Sequence, residues 1–505
     1  METPEGIQFA PEPSGRRSST HAARAVFAAA LAAADLPAAQ ALRAEHDWRT
    51  RYPRHLRALT QAGMASPVQA VTIARAGLAE AQRHVEFVRA GRATPLADAL
   101  ASARPDALGS VEIRGRGNAG IAEWTVPYRG RMLRGDALRA QIAGWQADGI
   151  VEPGHAQALL RVIDHPEWLD LSDRTLVLLG AGSEAGPLEW LSRWRANIVA
   201  VDRPDAGVWR RIVATVDAGN ARLIAPARGR LAGDAPADSW LSQAGADLLT
   251  ETPEIAAWLE GLDRPLDLAA IAYLDGERHV RVAMAMDALM ARRSDARHEH
   301  TLMFMATPTD VFAVSPPVAE AAMQRWAQRS PTRRAIDAGL RALSGGRLMQ
   351  PHVTGLQRAD DGDGYGIVDC AVIEQGPNYA LAKRLQQWRT VVARDAGQRV
   401  SLNVTPSTTT ASVTHNRALK AGFDGAHLFG VEVFAPETTH ALAAALWVHD
   451  LRCTTQAGDP ATTNENPLLR LAETANHGGL WRVPYLPRSA LPLAAIAGLL
   501  GARQH

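Results

Sequence analysis

From Arg174 onward the chain carries short, almost uninterrupted apolar runs separated by segments of helical spacing. The runs are TLVLL from Thr175, NIVAV from Asn197, LDLAAIAYL from Leu266, TLMFMATP from Thr301 and VSLNV from Val400. Runs of this length without polar alternation are strands buried on both faces, and the amphipathic segments between them are the crossovers that cover those faces. The pattern predicts an α/β domain on a doubly wound parallel sheet over about residues 171–455. The chain around it is expected to hold a mobile tail at 1–20, which is polar and contains proline, and a mostly helical region at 21–170. In that region apolar residues recur at three- and four-residue spacing, as at Ala70, Ile73, Ala74, Leu78, Ala81 and Val85. Residues 456–505 read as an extension packed across the body.

The first run ends in Gly180-Ala-Gly182-Ser183-Glu184-Ala-Gly186 and leads into a segment predicted to be helical as far as Arg195; Asp202 ends the second run, 22 positions after Gly180. Glycines there allow a tight turn, amides at a following helix N-terminus can hold a phosphate, and a carboxylate after the second strand can accept from ribose hydroxyls. A dinucleotide and S-adenosylmethionine both suit this arrangement. A glycine-rich turn with no ligand is the third reading.

Composition narrows the choice in one place. The 54 basic residues balance 53 acidic ones, for a net charge of +1, so charge gives no reason to expect nucleic acid or an anionic membrane as partner. Of those 54, only Lys383 and Lys420 are lysines. Lys383 lies four residues after Tyr379 in GPNYALAKRLQQW, which places both on one face of a predicted helix. With six tyrosines and two lysines in 505 residues, such a pair arises by chance about 0.02 times. Its chemical use would be proton exchange. A phenol titrating near 10 needs a compact adjacent cation to trade a proton with a carbonyl or alcohol near neutrality, and a planar guanidinium fits that place poorly.

Taken together, the motifs resemble the short-chain dehydrogenase/reductase family. GAGSEAG follows the first strand, Asp202 the second, and GADLL around Asp247 is similar to the family's acid beside the adenine. YALAK precedes VSLNVTPSTTT, whose Pro406-Ser407 stands where the family has a Pro-Gly pair, and FAPETTHALAAALWVHDL is similar to its late helix. The resemblance implies a Rossmann-type domain with an insertion at about 310–365 before the Tyr-x-x-x-Lys helix. It implies NAD or NADP held by Gly180, Gly182, Ser183, Gly186, Asp202, Asp247, Lys383 and Pro406; Asp202 favours NAD, while Arg203 beside it could receive a 2′-phosphate. It also implies a carbonyl–alcohol interconversion on a small-molecule substrate, in which Tyr379 exchanges the proton and Lys383 lowers its pKa. A homo-oligomer is a further expectation. The family's serine, about 13 residues before the tyrosine, falls at Gly366, so Thr307 or Thr309, and less well Ser315, would take its place. Ala272-Tyr-Leu-Asp-Gly276 replaces the family's Asn-Asn-Ala-Gly, and Glu184 stands at the loop's middle glycine, where its charge would oppose a pyrophosphate. If it blocks the loop, the fold is a non-catalytic scaffold.

Other clusters read as structural. Arg297-His298-Glu299-His300 lacks a third ligand at zinc spacing and is expected to be a solvated loop. Asp360-Asp361-Gly-Asp363 is expected to be a polar turn, since the rest of a calcium loop is absent, and Asp287 and Asp310 to be solvated carboxylates; no metal is expected. Trp124, Trp145, Trp168, Trp190 and Trp194 are expected to pack the helical region onto the first α/β unit, or, more boldly, to wall a substrate. Cys370 and Cys453 are too few for a disulfide framework and no secretory signal is read, so a reducing cytoplasmic location is expected. The Ala-rich stretch from His21 to Leu42 is broken by Arg24, Asp35 and Pro37, and LPLAAIAGLL from Leu491 is about half the ~20 residues a spanning helix needs, so no transmembrane helix is expected.

Overall fold

All five apolar runs become strands of one sheet. In a computed structural model, which describes residues 4–228, 241–262, 264–296, 300–360, 362–415, 417–453, 458–459 and 466–501, a small antiparallel sheet comes first. It joins β1 (Gly6–Phe9), β2 (Val85–Arg89) and β3 (Arg92–Pro95). The chain then lays down β4 (Gly109–Arg114) and a hairpin of β5 (Val126–Tyr128) and β6 (Arg131–Leu133). The apolar runs follow as β7 (Thr175–Leu179), β8 (Asn197–Val201), β10 (Asp267–Ala270), β11 (Thr301–Ala306) and β15 (Val400–Val404), with β9 (Arg222–Ala227) after β8. Between β11 and β15 stand β12 (Val311–Val314), β13 (Gln357–Arg358) and β14 (Gly364–Asp369).

The seven-stranded sheet has the order β15-β11-β10-β7-β8-β9-β4 and is parallel except for β4. Alternate residues of each strand serve two cores. Val177, Leu179, Val199, Val201, Leu302 and Phe304 face the N-terminal helices and the Gly376–Asp395 helix. Leu176, Leu178, Ile198, Ala200, Met303 and Met305 face helices Gly135–Ala147, Pro153–Asp164, Ala206–Asp217 and Pro436–Arg452. From β7 the chain builds outward through β8 and β9, then returns to β10 and builds the other way. That reversal opens a crevice beyond the carboxyl ends of β7 and β10, the place where open α/β sheets bind ligands.

Several expectations need correction. Residues 1–20 are not simply a mobile tail: β1 is buried, pairs with β2, and Ile7 N–H donates to Leu249 O at 2.7 Å. Its Ile7 and Phe9 reach the main core. The region 21–170 does supply helices Ser19–Ala32, Leu36–Arg43, Trp48–Gly63 and Pro67–Arg83, but β4 leaves it to join the central sheet as an antiparallel edge. The region is packed into the body: a Cβ on Gly77 would lie 2.4 Å from the Trp388 ring. The insertion holds helices Pro316–Ala327 and Pro331–Leu343 with β12, β13 and β14, and runs on to Asp369. The Pro487–Gly501 helix lies on the Arg417–Asp424 helix, with a Cβ on Gly498 only 2.1 Å from Ala421 O. No helix among the described residues is long and apolar enough to cross a membrane.

Candidate functional site

A cleft of about 710 Å³ runs along the carboxyl edge of the sheet. Gly180, Gly182, Ser183, Asp202, Asp247, Thr307, Thr309, Tyr379, Lys383 and Pro406 all line it; among the sequence-predicted residues, Gly186 does not. At one end β7 turns at Gly180 with φ +98°, and a Cβ there would lie 2.5 Å from Ala272 Cα, so the strand-to-loop turn and the approach of β10 both demand glycine. Asp202 closes the loop onto the second strand by accepting from Gly182 N–H (2.7 Å) and Arg203 N–H (2.8 Å). Burial pushes its carboxyl above the usual range, and those two amides oppose the shift. Asp247 lies on a turn beyond β9, brought beside Asp202 by the Ala246 N–H···O=C Asp202 bond of 2.9 Å.

The loop expected to cradle a phosphate differs from expectation. The amides of Gly180, Ala181, Gly182, Ser183 and Gly186 are all bonded within the protein. The helix predicted to run to Arg195 is the single turn Leu188–Leu191. It stops because Ser192 O is taken by the amides of Asn220 (2.7 Å) and Ala221 (3.0 Å) rather than by the next helical turn. Glu184 does not point its charge into the loop: its carboxylate accepts from Ala411 N–H, 2.8 Å away across the cleft.

At the other end the Gly376–Asp395 helix delivers Tyr379 and Lys383, both half-buried, against the ends of β11 and β15. Thr307 and Thr309 follow β11 and share a hydrogen bond of 2.7 Å, and Thr307 lies close enough to the Tyr379 phenol to ease its pKa. Gly366, the position of the family's serine by spacing, lies in β14 against Ala319, remote from this cluster. Ser315 stands at the start of the Pro316–Ala327 helix without a side-chain capping bond and does not line the cleft.

Lys383 does not lower the Tyr379 pKa, one part of its expected role. Its Nζ donates to Met305 O at 2.7 Å and stands 5.7 Å from the Tyr379 ring centre. Burial lowers its pKa to about 8. The Tyr379 phenol is pushed well up by burial, eased by Thr307 and raised further by Tyr273 and Asp310, with no lowering contribution from Lys383. In this state the tyrosine is a protonated donor.

Asp287 and Asp310, expected to be solvated, are buried. Asp310 accepts from Arg384 (2.6 Å) and Gln387 (2.9 Å), and Asp287 holds Arg389 through two bonds of 2.7 and 2.9 Å. His300 is also buried and accepts from Leu266 N–H at 2.8 Å, whereas Arg297, His298 and Glu299 lie outside the described residues. Asp361 lies outside them too; around it, Ala359 N–H donates to Asp363 O at 2.9 Å in a turn. Trp124, Trp145, Trp190 and Trp194 are core residues and Trp168 packs at its margin; none lines the cleft.

Sequence reasoning missed an aromatic group beside Tyr379. The His279 ring stacks on Tyr379 with centres 5.6 Å apart, and Tyr273 lies 4.6 Å from His279. A single histidine at the start of an amphipathic helix carries no signal that would have marked it. No family model matches the chain, and no match to it was found among curated proteins.

Proposed function

We propose that the chain is an NAD(P)-dependent oxidoreductase that reduces a carbonyl or oxidises an alcohol on a small-molecule substrate, with a Rossmann-type domain of short-chain dehydrogenase/reductase character. One observation carries the proposal: Tyr379, Lys383 and the Thr307–Thr309 pair meet at one end of the cleft whose other end is the Gly180 turn and Asp202. A carboxylate engaged by two amides retains lone pairs for ribose hydroxyls, and the amides of Glu184 and Ala185, with the Ser183 hydroxyl, remain for the pyrophosphate. Arg203 and Arg211 border the Asp202 end, where a 2′-phosphate would lie.

A reduced nicotinamide, when bound, supplies the hydride. The chain's own part is to hold and move the proton. Tyr379, kept protonated by burial, donates from its hydroxyl to the carbonyl oxygen, with Thr307 beside it in the cleft wall. Lys383 is fixed on Met305 O and presents a compact cation to the ribose end.

The internally bonded glycine loop favours one second reading. A ligand without phosphates, S-adenosylmethionine, needs Asp202 but not the loop amides. Glu184 is turned aside onto Ala411, which removes the main support for a blocked scaffold. Thermal-shift measurements with NAD, NADP and S-adenosylmethionine decide. A rise in Tm with a nicotinamide dinucleotide supports the oxidoreductase; a rise with the methyl donor alone overturns it in favour of a methyltransferase.

A further inference from the structure

We propose that a second cavity, adjoining the cleft at Tyr379, binds the oxyanionic group, carboxylate or phosphate, of a small molecule. The cavity is about 490 Å³ and shares Tyr273, Gln375 and Tyr379 with the main cleft as walls. Four helices begin at it. Thr20 belongs to the first turn of Ser19–Ala32, Trp48 and Arg49 open Trp48–Gly63, His279 lies in the first turn of Glu277–Ala296, and Gly376 with Asn378 opens Gly376–Asp395. Each helix start carries about half a positive charge from its aligned peptides, so their convergence makes a fixed positive field in one small space.

Two side chains supply independent support. His279 is 2% exposed and lines the cavity. Its Nδ1 accepts from Leu274 N–H at 3.4 Å, which leaves the ring proton on Nε2, and Nε2 is buried with no partner. A buried N–H without an acceptor is rare and needs an explanation. Burial and the nearby Lys383 ammonium keep this ring neutral, so it offers one N–H rather than a charge. Arg49 makes no ion pair among the described residues, and its Nη1 lies 3.2 Å from where a Gly376 side chain would begin. The carboxylate in the wall, Asp47, is occupied locally: it accepts from the Thr50 hydroxyl and lies 4.0 Å from Arg51. An oxyanion between the helix starts and Arg49 lies on the wall that the His279 ring lines, and a molecule held here sits beside the Tyr379 ring.

The test is isothermal titration of inorganic phosphate and, separately, succinate into the full chain and into Arg49→Gln, His279→Gln and Ser183→Asp. Binding of either anion at one site is expected, ten-fold or more weaker in Arg49→Gln and within two-fold of the parent in Ser183→Asp; the anion that binds identifies phosphate or carboxylate. Absence of binding by both overturns the proposal. So does binding that Ser183→Asp abolishes and Arg49→Gln leaves intact, because the anion then occupies the glycine-loop cleft. Arg49 is exposed, so its variant carries the test even where His279→Gln fails to fold. Titrating NADH into Arg49→Gln separates this result from the dinucleotide reading, which predicts unchanged NADH affinity there.

Discussion

Along one helix, two arginines and a lysine are used in different ways. Arg389 holds Asp287 with two nitrogens, which suits a planar guanidinium, and Arg384 bonds Asp310 and Val311 O from one. Lys383, between the same sheet and the cleft, fits one carbonyl with one nitrogen. The rarity of lysine made Lys383 conspicuous in the sequence, and Tyr379 follows from the same reading; the two threonines came from the family resemblance, as stand-ins for its serine. The burial of Asp310 and Asp287 was not legible, because their partners lie 74 and 102 residues away in the chain. A pH prediction follows from Lys383. Its pKa is about 8 when folded against 10.5 when free, so between those values the unfolded chain binds the proton more tightly and the folded state gains stability as pH rises. The Tm of the parent should therefore rise relative to that of Lys383→Met from pH 8 to pH 10.5. A constant difference across that range would show that Lys383 titrates normally.

Removing one partner of a buried pair tests the same helix. Asp310→Ala leaves the Arg384 guanidinium buried without its carboxylate and should cost roughly 3–5 kcal/mol in urea unfolding. A loss under 1 kcal/mol would mean the arginine finds water or another acceptor.

The strands that line the cleft were readable because each is an apolar run buried on both sides. Strand β9 escaped although it is buried, because Pro226 interrupts its run; the others that escaped are exceptions to that physics. Strand β4 is an edge with mostly exposed or half-buried residues, and β1 has only four residues, whose burial depends on β2 and Leu249. The helix after the glycine loop was overread for a related reason: LEWLSRW has helical spacing, but tertiary bonds to Ser192 end the helix after one turn. Gly180 is the element-scale test. Gly180→Ala must adopt φ near +98° and meet Ala272 Cα at 2.5 Å, so thermal or urea unfolding should show a loss of about 1–3 kcal/mol from backbone strain alone. Full stability in this variant would mean that the loop can adopt another path.

Across the whole molecule, the order of the strands determines where chemistry can occur. Starting the parallel strands in the middle of the sheet and building both ways leaves a gap at the carboxyl edge, and the loops after β7, β8, β10, β11 and β15 all reach it. The N-terminal region closes the far side by packing on the Gly376–Asp395 helix, which puts Trp48 and Arg49 within one cavity wall of Tyr379. No periodicity in the sequence announces that contact. The central claim is that the cleft takes a nicotinamide dinucleotide between Asp202 and Lys383. Titration of the full chain with NADH and NADPH, followed by nicotinamide fluorescence, tests it directly. Saturable binding of one of them is predicted, weakened ten-fold or more in Lys383→Met and in Asp202→Ala; absence of binding, or binding indifferent to both substitutions, would contradict it.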